Sequence, residues 1–130
     1  MPITKTNILI VEDDAVMATF VVSSLHRLHI DSVTVCTDGN SALKSVADLK
    51  PDVILTDIHM QPMNGIEFVE RLRALPNAAL RSTPVIFMSA DSSRETLGGT
   101  LGLDSVAYIV KPPRLDTLLA KIKQAVQSRG

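Results

Sequence analysis

The chain has 130 residues, 45% of them hydrophobic and 21% charged, with a formal net charge of −1 and a pI of about 6.3. That length supports a single domain over residues 1–130 that buries roughly two thirds of its unfolded surface without disulfides or structural metal. The near-neutral balance lacks the field that draws a protein onto nucleic acid or an anionic membrane, so direct contact with either is not expected.

The first predicted strand, Ile8-Leu9-Ile10-Val11, runs into Glu12-Asp13-Asp14. An apolar run this short, halted by acids, is neither a secretory core nor a membrane span, which predicts a cytoplasmic protein. Residues 15–28 read as a helix whose core face carries Met17, Phe20, Val21, Ser24 and Leu28, with Asp14 as its cap. Residues 32–36 read as a second strand with Cys36 as a half-buried packing thiol. Asp38-Gly39-Asn40 turns into a second helix through Ala42, Leu43, Val46 and Leu49, which Pro51 closes.

Val53-Ile54-Leu55-Thr56 is the third strand, and it delivers Asp57. Asn64-Gly65-Ile66-Glu67 has capping-box spacing and opens a helix carrying Phe68, Val69, Leu72 and Leu75, ended near Pro76. Residues 77–83 read as a polar loop. Val85-Ile86-Phe87-Met88 is the fourth strand, ending at Ser89. Ser92-Ser93-Arg94-Glu95 can start a fourth helix, but Gly98, Gly99 and Gly102 each cost about 0.8–1 kcal/mol against Ala and predict a short, irregular or mobile one. Residues 106–110 form the fifth strand and deliver Lys111-Pro112. The last helix, residues 115–128, places Leu115, Leu118, Leu119, Ile122 and Val126 on one face and Lys121, Lys123 and Gln127 on the other.

Strand-length apolar runs alternating with amphipathic helices imply right-handed crossovers and a parallel sheet covered on both faces. Ligands of such sheets bind beyond the carboxyl ends of the strands. Carboxylates, a hydroxyl and an ammonium then meet on one rim, a set suited to a divalent cation and a phosphoryl group.

Taken together, Ile8-Leu9-Ile10-Val11-Glu12-Asp13-Asp14, Asp57-Ile58-His59-Met60 with Met63-Asn64-Gly65, Ser89-Ala90, and Tyr108-Ile109-Val110-Lys111-Pro112 resemble the receiver domain of bacterial two-component response regulators. The resemblance covers essentially the whole chain. It implies an α/β, flavodoxin-like fold: a doubly wound five-stranded parallel sheet of order 2-1-3-4-5 with five helices. It further implies that Asp57 accepts a phosphoryl group from a histidine kinase or phosphotransfer protein, with Mg²⁺ as cofactor. Asp13, Asp57 and the backbone carbonyl of His59 would ligate the ion directly, and Glu12 through water. Lys111 and Ser89 would hold phosphoryl oxygens, Ser89 and Tyr108 would form a switch pair, and His59 and Asp91 would set the lifetime of the phosphoryl group. Lys111-Pro112 is expected to be cis. The implied output is a changed surface read by a downstream protein partner, with no catalysis beyond the chain's own phosphorylation and dephosphorylation.

Departures from the family pattern are the displaced proline in Met60-Gln61-Pro62-Met63, Pro113 in place of an aromatic residue, and Asp104 in place of a glycine. Two alternatives stay open on the residues. An aspartate-nucleophile phosphatase would want a second acid where His59 stands; a flavin or nucleotide carrier would want a glycine-rich loop where Glu12-Asp13-Asp14 stands. The chain can also be a receiver module excised from a longer regulator. His26 and His29 are read as surface residues, and Met60 and Met63 as packing.

Overall fold

A computed structural model describes residues 2–90, 98, 103 and 107–129, with side chains described to 127. Five strands, β1 (Ile8–Val11), β2 (Val33–Cys36), β3 (Val53–Asp57), β4 (Val85–Ser89) and β5 (Ala107–Val110), form one parallel sheet of order β2-β1-β3-β4-β5. Among the described residues the helices are α1 (Ala15–Arg27), α2 (Gly39–Leu49), α3 (Gly65–Arg73), a single turn α4 (Ala78–Arg81) and α5 (Leu115–Arg129). The helix expected from Ser92, and with it Asp91, Asp104 and Val106, lies outside the described residues apart from Gly98, which is helical.

The alternation of side chains along each strand divides the core in two. Leu9, Val11, Ile54, Val85 and Phe87 face Ala42 and Val46 of α2 and Phe68, Val69 and Leu72 of α3. Ile8, Ile10, Val53, Leu55, Ile86, Met88 and Ile109 face Val21 and Leu25 of α1 and Leu118, Ile122 and Ala125 of α5. Burying each such side chain contributes about 1.5–3 kcal/mol, which explains why these strands read as unbroken apolar runs.

Helix starts follow the sequence closely. Asp14 Oδ1 accepts from the amides of Val16 and Met17 at 2.9 and 3.1 Å, and Asp38 Oδ1 from the amide of Ser41 at 2.7 Å. At α3 the capping box is complete: Glu67 N–H donates to Asn64 Oδ1 at 2.8 Å, and Asn64 N–H donates back to Glu67 Oε1 at 3.2 Å. Lys50, in the left-handed region at φ 46°, terminates α2 just before Pro51.

Three expectations need correction. The core face of α1 is turned by one residue: Ala18, Val21, Ser24 and Leu25 are buried, Met17 and Leu28 are half-buried, and Phe20 is 45% exposed. Val21 and Ser24 are on the buried face as expected, while the small Ala18 and Leu25 take the places expected of Met17, Phe20 and Leu28. The stretch 77–83 is not plain loop, since Asn77 Oδ1 accepts from Leu80 N–H at 3.1 Å and caps α4. Cys36 is more buried than expected, and burial pushes its thiol above the usual range.

Candidate functional site

The parallel register sets strand ends level with one another. Val11 pairs with Thr56 and with Cys36, so Glu12 and Asp57 each stand one residue beyond a matched position. Glu12 N–H still donates to the Cys36 carbonyl at 3.0 Å, so its backbone is fixed by the sheet. Asp57 pairs with Met88, and Lys111 N–H donates to the Ser89 carbonyl at 2.9 Å. Four strands thereby deliver Glu12-Asp13, Asp57, Ser89 and Lys111 to one rim.

The loop after β3 is held from below by α3. Gly65 N–H donates to the Ile58 carbonyl at 2.7 Å, and a Cβ built on Gly65 would lie 1.9 Å from the carbonyl oxygen of Asp57. No side chain fits there. Within this loop Met60 and Met63 are 4% and 5% exposed and belong to the α2–α3 core cluster, and the Gln61–Pro62 bond between them is cis. The displaced proline thus coincides with a turn of its own, and Lys111–Pro112 is cis as expected.

The side chains converge closely. Lys111 Nζ lies 3.1 Å from Asp57 Oδ2 and donates to Glu12 Oε1. One carboxylate oxygen from each of Glu12, Asp13 and Asp57 can be chosen so that all three lie within 4.8 Å of one another. Glu12 and Asp57 are buried and Asp13 is exposed, so the cluster opens on the Asp13 side, where a groove of about 280 Å³ is lined by Asp13, His59, Gln61 and Glu67 among others.

Burial pushes the Glu12 carboxyl up to about 7; the hydrogen bond from Lys111 opposes this and the charge of Asp57 reinforces it. Burial alone would lower the Lys111 ammonium, but the carboxylates of Glu12 and Asp57 outweigh it and raise its value. The ammonium is therefore retained throughout the physiological range. Three hard oxygen donors held this close fit Mg²⁺, which takes one or two carboxylates together with waters and phosphate oxygens. Glu12, Asp13 and Asp57 would hold such an ion.

The remaining predicted site residues are distributed around this centre. Ser89 is fully buried at the end of β4. Tyr108 is half-buried on β5, paired with Phe87 and packed against the α2–α3 side of the core. His59 is exposed beside Asp13 on the groove, and Asp91 lies outside the described residues. His26 and His29 are at the surface, as read from the sequence. Not foreseen were the direct pairing of Lys111 with Glu12 and the contact of Gly65 with the Asp57 backbone; both link residues far apart in the chain or hidden behind a capping motif.

A doubly wound sheet with an acidic rim and a facing lysine defines the class, and similarity to known proteins agrees with it. The chain belongs to the response regulator receiver domain family, whose family model, described as Response regulator receiver domain, matches residues 8–123. The transcriptional regulatory protein PrrA of Mycobacterium bovis is 35% identical over 131 residues, covering 98% of this chain and 53% of that protein. The DNA-binding response regulator MtrA of Mycolicibacterium paratuberculosis is 33% identical over 121 residues, covering 92% and 50% respectively. The chain thus spans about half the length of the curated relatives it matches. Among solved structures, the chemotaxis protein CheY4 of Vibrio cholerae superposes with a TM-score of 0.83 at 26% identity, covering 93% of this chain and 98% of that one. The receiver domain of sensor histidine kinase PA1611 from Pseudomonas aeruginosa PAO1, solved with a magnesium ion in its active site cleft, gives a TM-score of 0.84 at 26% identity, covering 95% and 98%.

Proposed function

We propose that residues 1–130 act as a phosphorylation-dependent signalling switch in the cytoplasm, accepting a phosphoryl group on Asp57 from a histidine kinase or phosphotransfer protein. The observation that carries this reading is the placement of the Asp57 carboxylate 3.1 Å from Lys111 Nζ and within a trio of carboxylates whose oxygens lie within 4.8 Å. Asp57 Oδ forms the new bond to phosphorus, and the P–N bond of the donor breaks with its electron pair going to the imidazole nitrogen, which takes a proton from solvent. Mg²⁺, when bound, neutralises the carboxylates and the developing phosphoryl charge. Asp13, Asp57 and the His59 carbonyl would ligate it, with Glu12 acting through water.

Lys111 serves as a point charge for a phosphoryl oxygen. For it to do so, its ammonium must exchange part of its contact with Glu12 for the incoming group, which the rim position permits. The Ser89 hydroxyl joins the same oxygens, and Tyr108 turns into the space that Ser89 leaves. His59, exposed on the groove, and Asp91 control access of water to the acyl phosphate. The net charge of −1 supports a protein partner rather than direct nucleic-acid or membrane contact for this unit. Intact-mass measurement with Mg²⁺ and acetyl phosphate tests the reading: one phosphoryl adduct is expected on the parent and none on Asp57→Asn. An undiminished adduct on that variant removes it.

A further inference from the structure

Arg73, the last residue of α3, holds three main-chain carbonyls at once. Its Nε donates to Leu103 O at 2.8 Å, and its Nη1 to Arg81 O at 2.8 Å and Thr83 O at 2.6 Å. Thr83 stands two residues before β4, and Leu103 four residues before β5. A planar guanidinium with a fixed fork of donors suits this bridging, whereas an ammonium cannot span carbonyls from two segments in the same way.

The opposite end of the same helix bears on the site. Gly65, the first residue of α3, donates to the Ile58 carbonyl and lies against the backbone of Asp57 so closely that a Cβ would come within 1.9 Å of its oxygen. Between these ends α3 is nine residues, about 13 Å, and Phe68, Val69 and Leu72 are fully buried, so it is seated firmly along its length. Leu103 and Tyr108 pack against the same core cluster as those three residues.

We propose that α3 is a lever joining the phosphorylation site to Leu103, with Arg73 as the positioning residue that holds the Leu103 carbonyl beside the core cluster on which Tyr108 also packs. This rests on the proposed function for the event at Asp57, but the clamp itself does not. A shift of the Asp57–Ile58 backbone moves Gly65, the rigid helix carries the displacement, and Arg73 passes it to the Leu103 carbonyl.

The test uses Arg73→Met, which keeps the length of the stem and removes the donors, with Arg73→Lys as a second variant should the first fail to fold. In unphosphorylated protein, amide exchange within β5 is expected to accelerate by at least about tenfold while β1 keeps parental protection. With Mg²⁺ and acetyl phosphate, the phosphoryl stoichiometry at Asp57 is expected to match the parent. The accompanying change in tyrosine emission, which reports Tyr108 alone because the chain has one tyrosine and no tryptophan, should fall below half. Arg73→Lys should lie between parent and Arg73→Met on both readouts. Parental β5 exchange and a parental tyrosine response in a folded variant overturn the proposal, as does an equal loss of protection in β1. The exchange arm needs no phosphoryl group, so it decides the clamp even where the parent takes up none, an outcome that strikes the proposed function instead.

Discussion

Replacing Gly65 with alanine should damage the site through the backbone of Asp57 while leaving every chemical group in place. The added Cβ would lie 1.9 Å from Asp57 O, 2.9 Å from its carbonyl carbon and 3.0 Å from Ile58 Cα, all main-chain atoms with no rotamer to change. Reaching even a 3.0 Å contact requires a relative movement of 3.0 − 1.9 = 1.1 Å between α3 and the loop after β3. Overpacking of this kind costs roughly 1–3 kcal/mol or more, and a misplacement of about 1 Å at a reacting group can cost about 100-fold in rate. Urea unfolding should therefore show Gly65→Ala destabilised by at least about 1 kcal/mol, and phosphorylation by acetyl phosphate should slow by roughly one to two orders of magnitude. A variant with parental stability and parental rate would refute the close approach. Gly98→Ala is the internal contrast: nothing lies within 4 Å of the added atom, so it should be neutral or stabilising by up to about 1 kcal/mol.

Three other outcomes are expected. Because Glu12 is pushed up to about 7, a proton competes with the metal below that value; Mg²⁺ affinity should rise from pH 6 to pH 8 by up to about tenfold and then level off, and a flat titration curve would contradict the placement of Glu12 at the metal. His59→Ala and Asp91→Ala should change the decay rate of the acyl phosphate more than its formation, measured by following the adduct after the donor is removed; slowed formation with unchanged decay would reverse that assignment. Asn64→Ala removes the capping box of α3 and should cost about 1 kcal/mol in chemical denaturation, with no loss indicating that the helix start is held by Gly65 alone.

The legible part of this molecule was the part whose physics is local. Strands buried on both faces announce themselves as apolar runs, and Asp14, Asp38 and the Asn64–Glu67 pair cap helices by short-range bonds that spacing reveals. That Glu12-Asp13, Asp57, Ser89 and Lys111 meet was legible because they stand at strand ends, where a parallel register makes sequence position equivalent to place on a rim. Phe20 is exposed although a hydrophobic pattern credits its large side chain, because the sheet takes Ala18 and Leu25 instead. Asn77 carried a readable cap signal that a polar composition hid. Arg73 is not legible in this way from the bonds described: it donates to the carbonyls of Arg81, Thr83 and Leu103, which every residue type possesses, so those three contacts leave no mark in a side-chain pattern. Gly65 was legible as a helix start, but its closeness to Asp57 depends on how α3 docks under the loop.

The most direct test of the central claim is transfer from a phosphorylated histidine kinase or phosphotransfer protein in the presence of Mg²⁺, followed by borohydride reduction, which converts an aspartyl phosphate to homoserine, and peptide mapping. Homoserine at position 57, lost when Mg²⁺ is chelated, is the predicted result. Homoserine at another acidic position, or transfer that leaves Asp57 unmodified, would contradict the account.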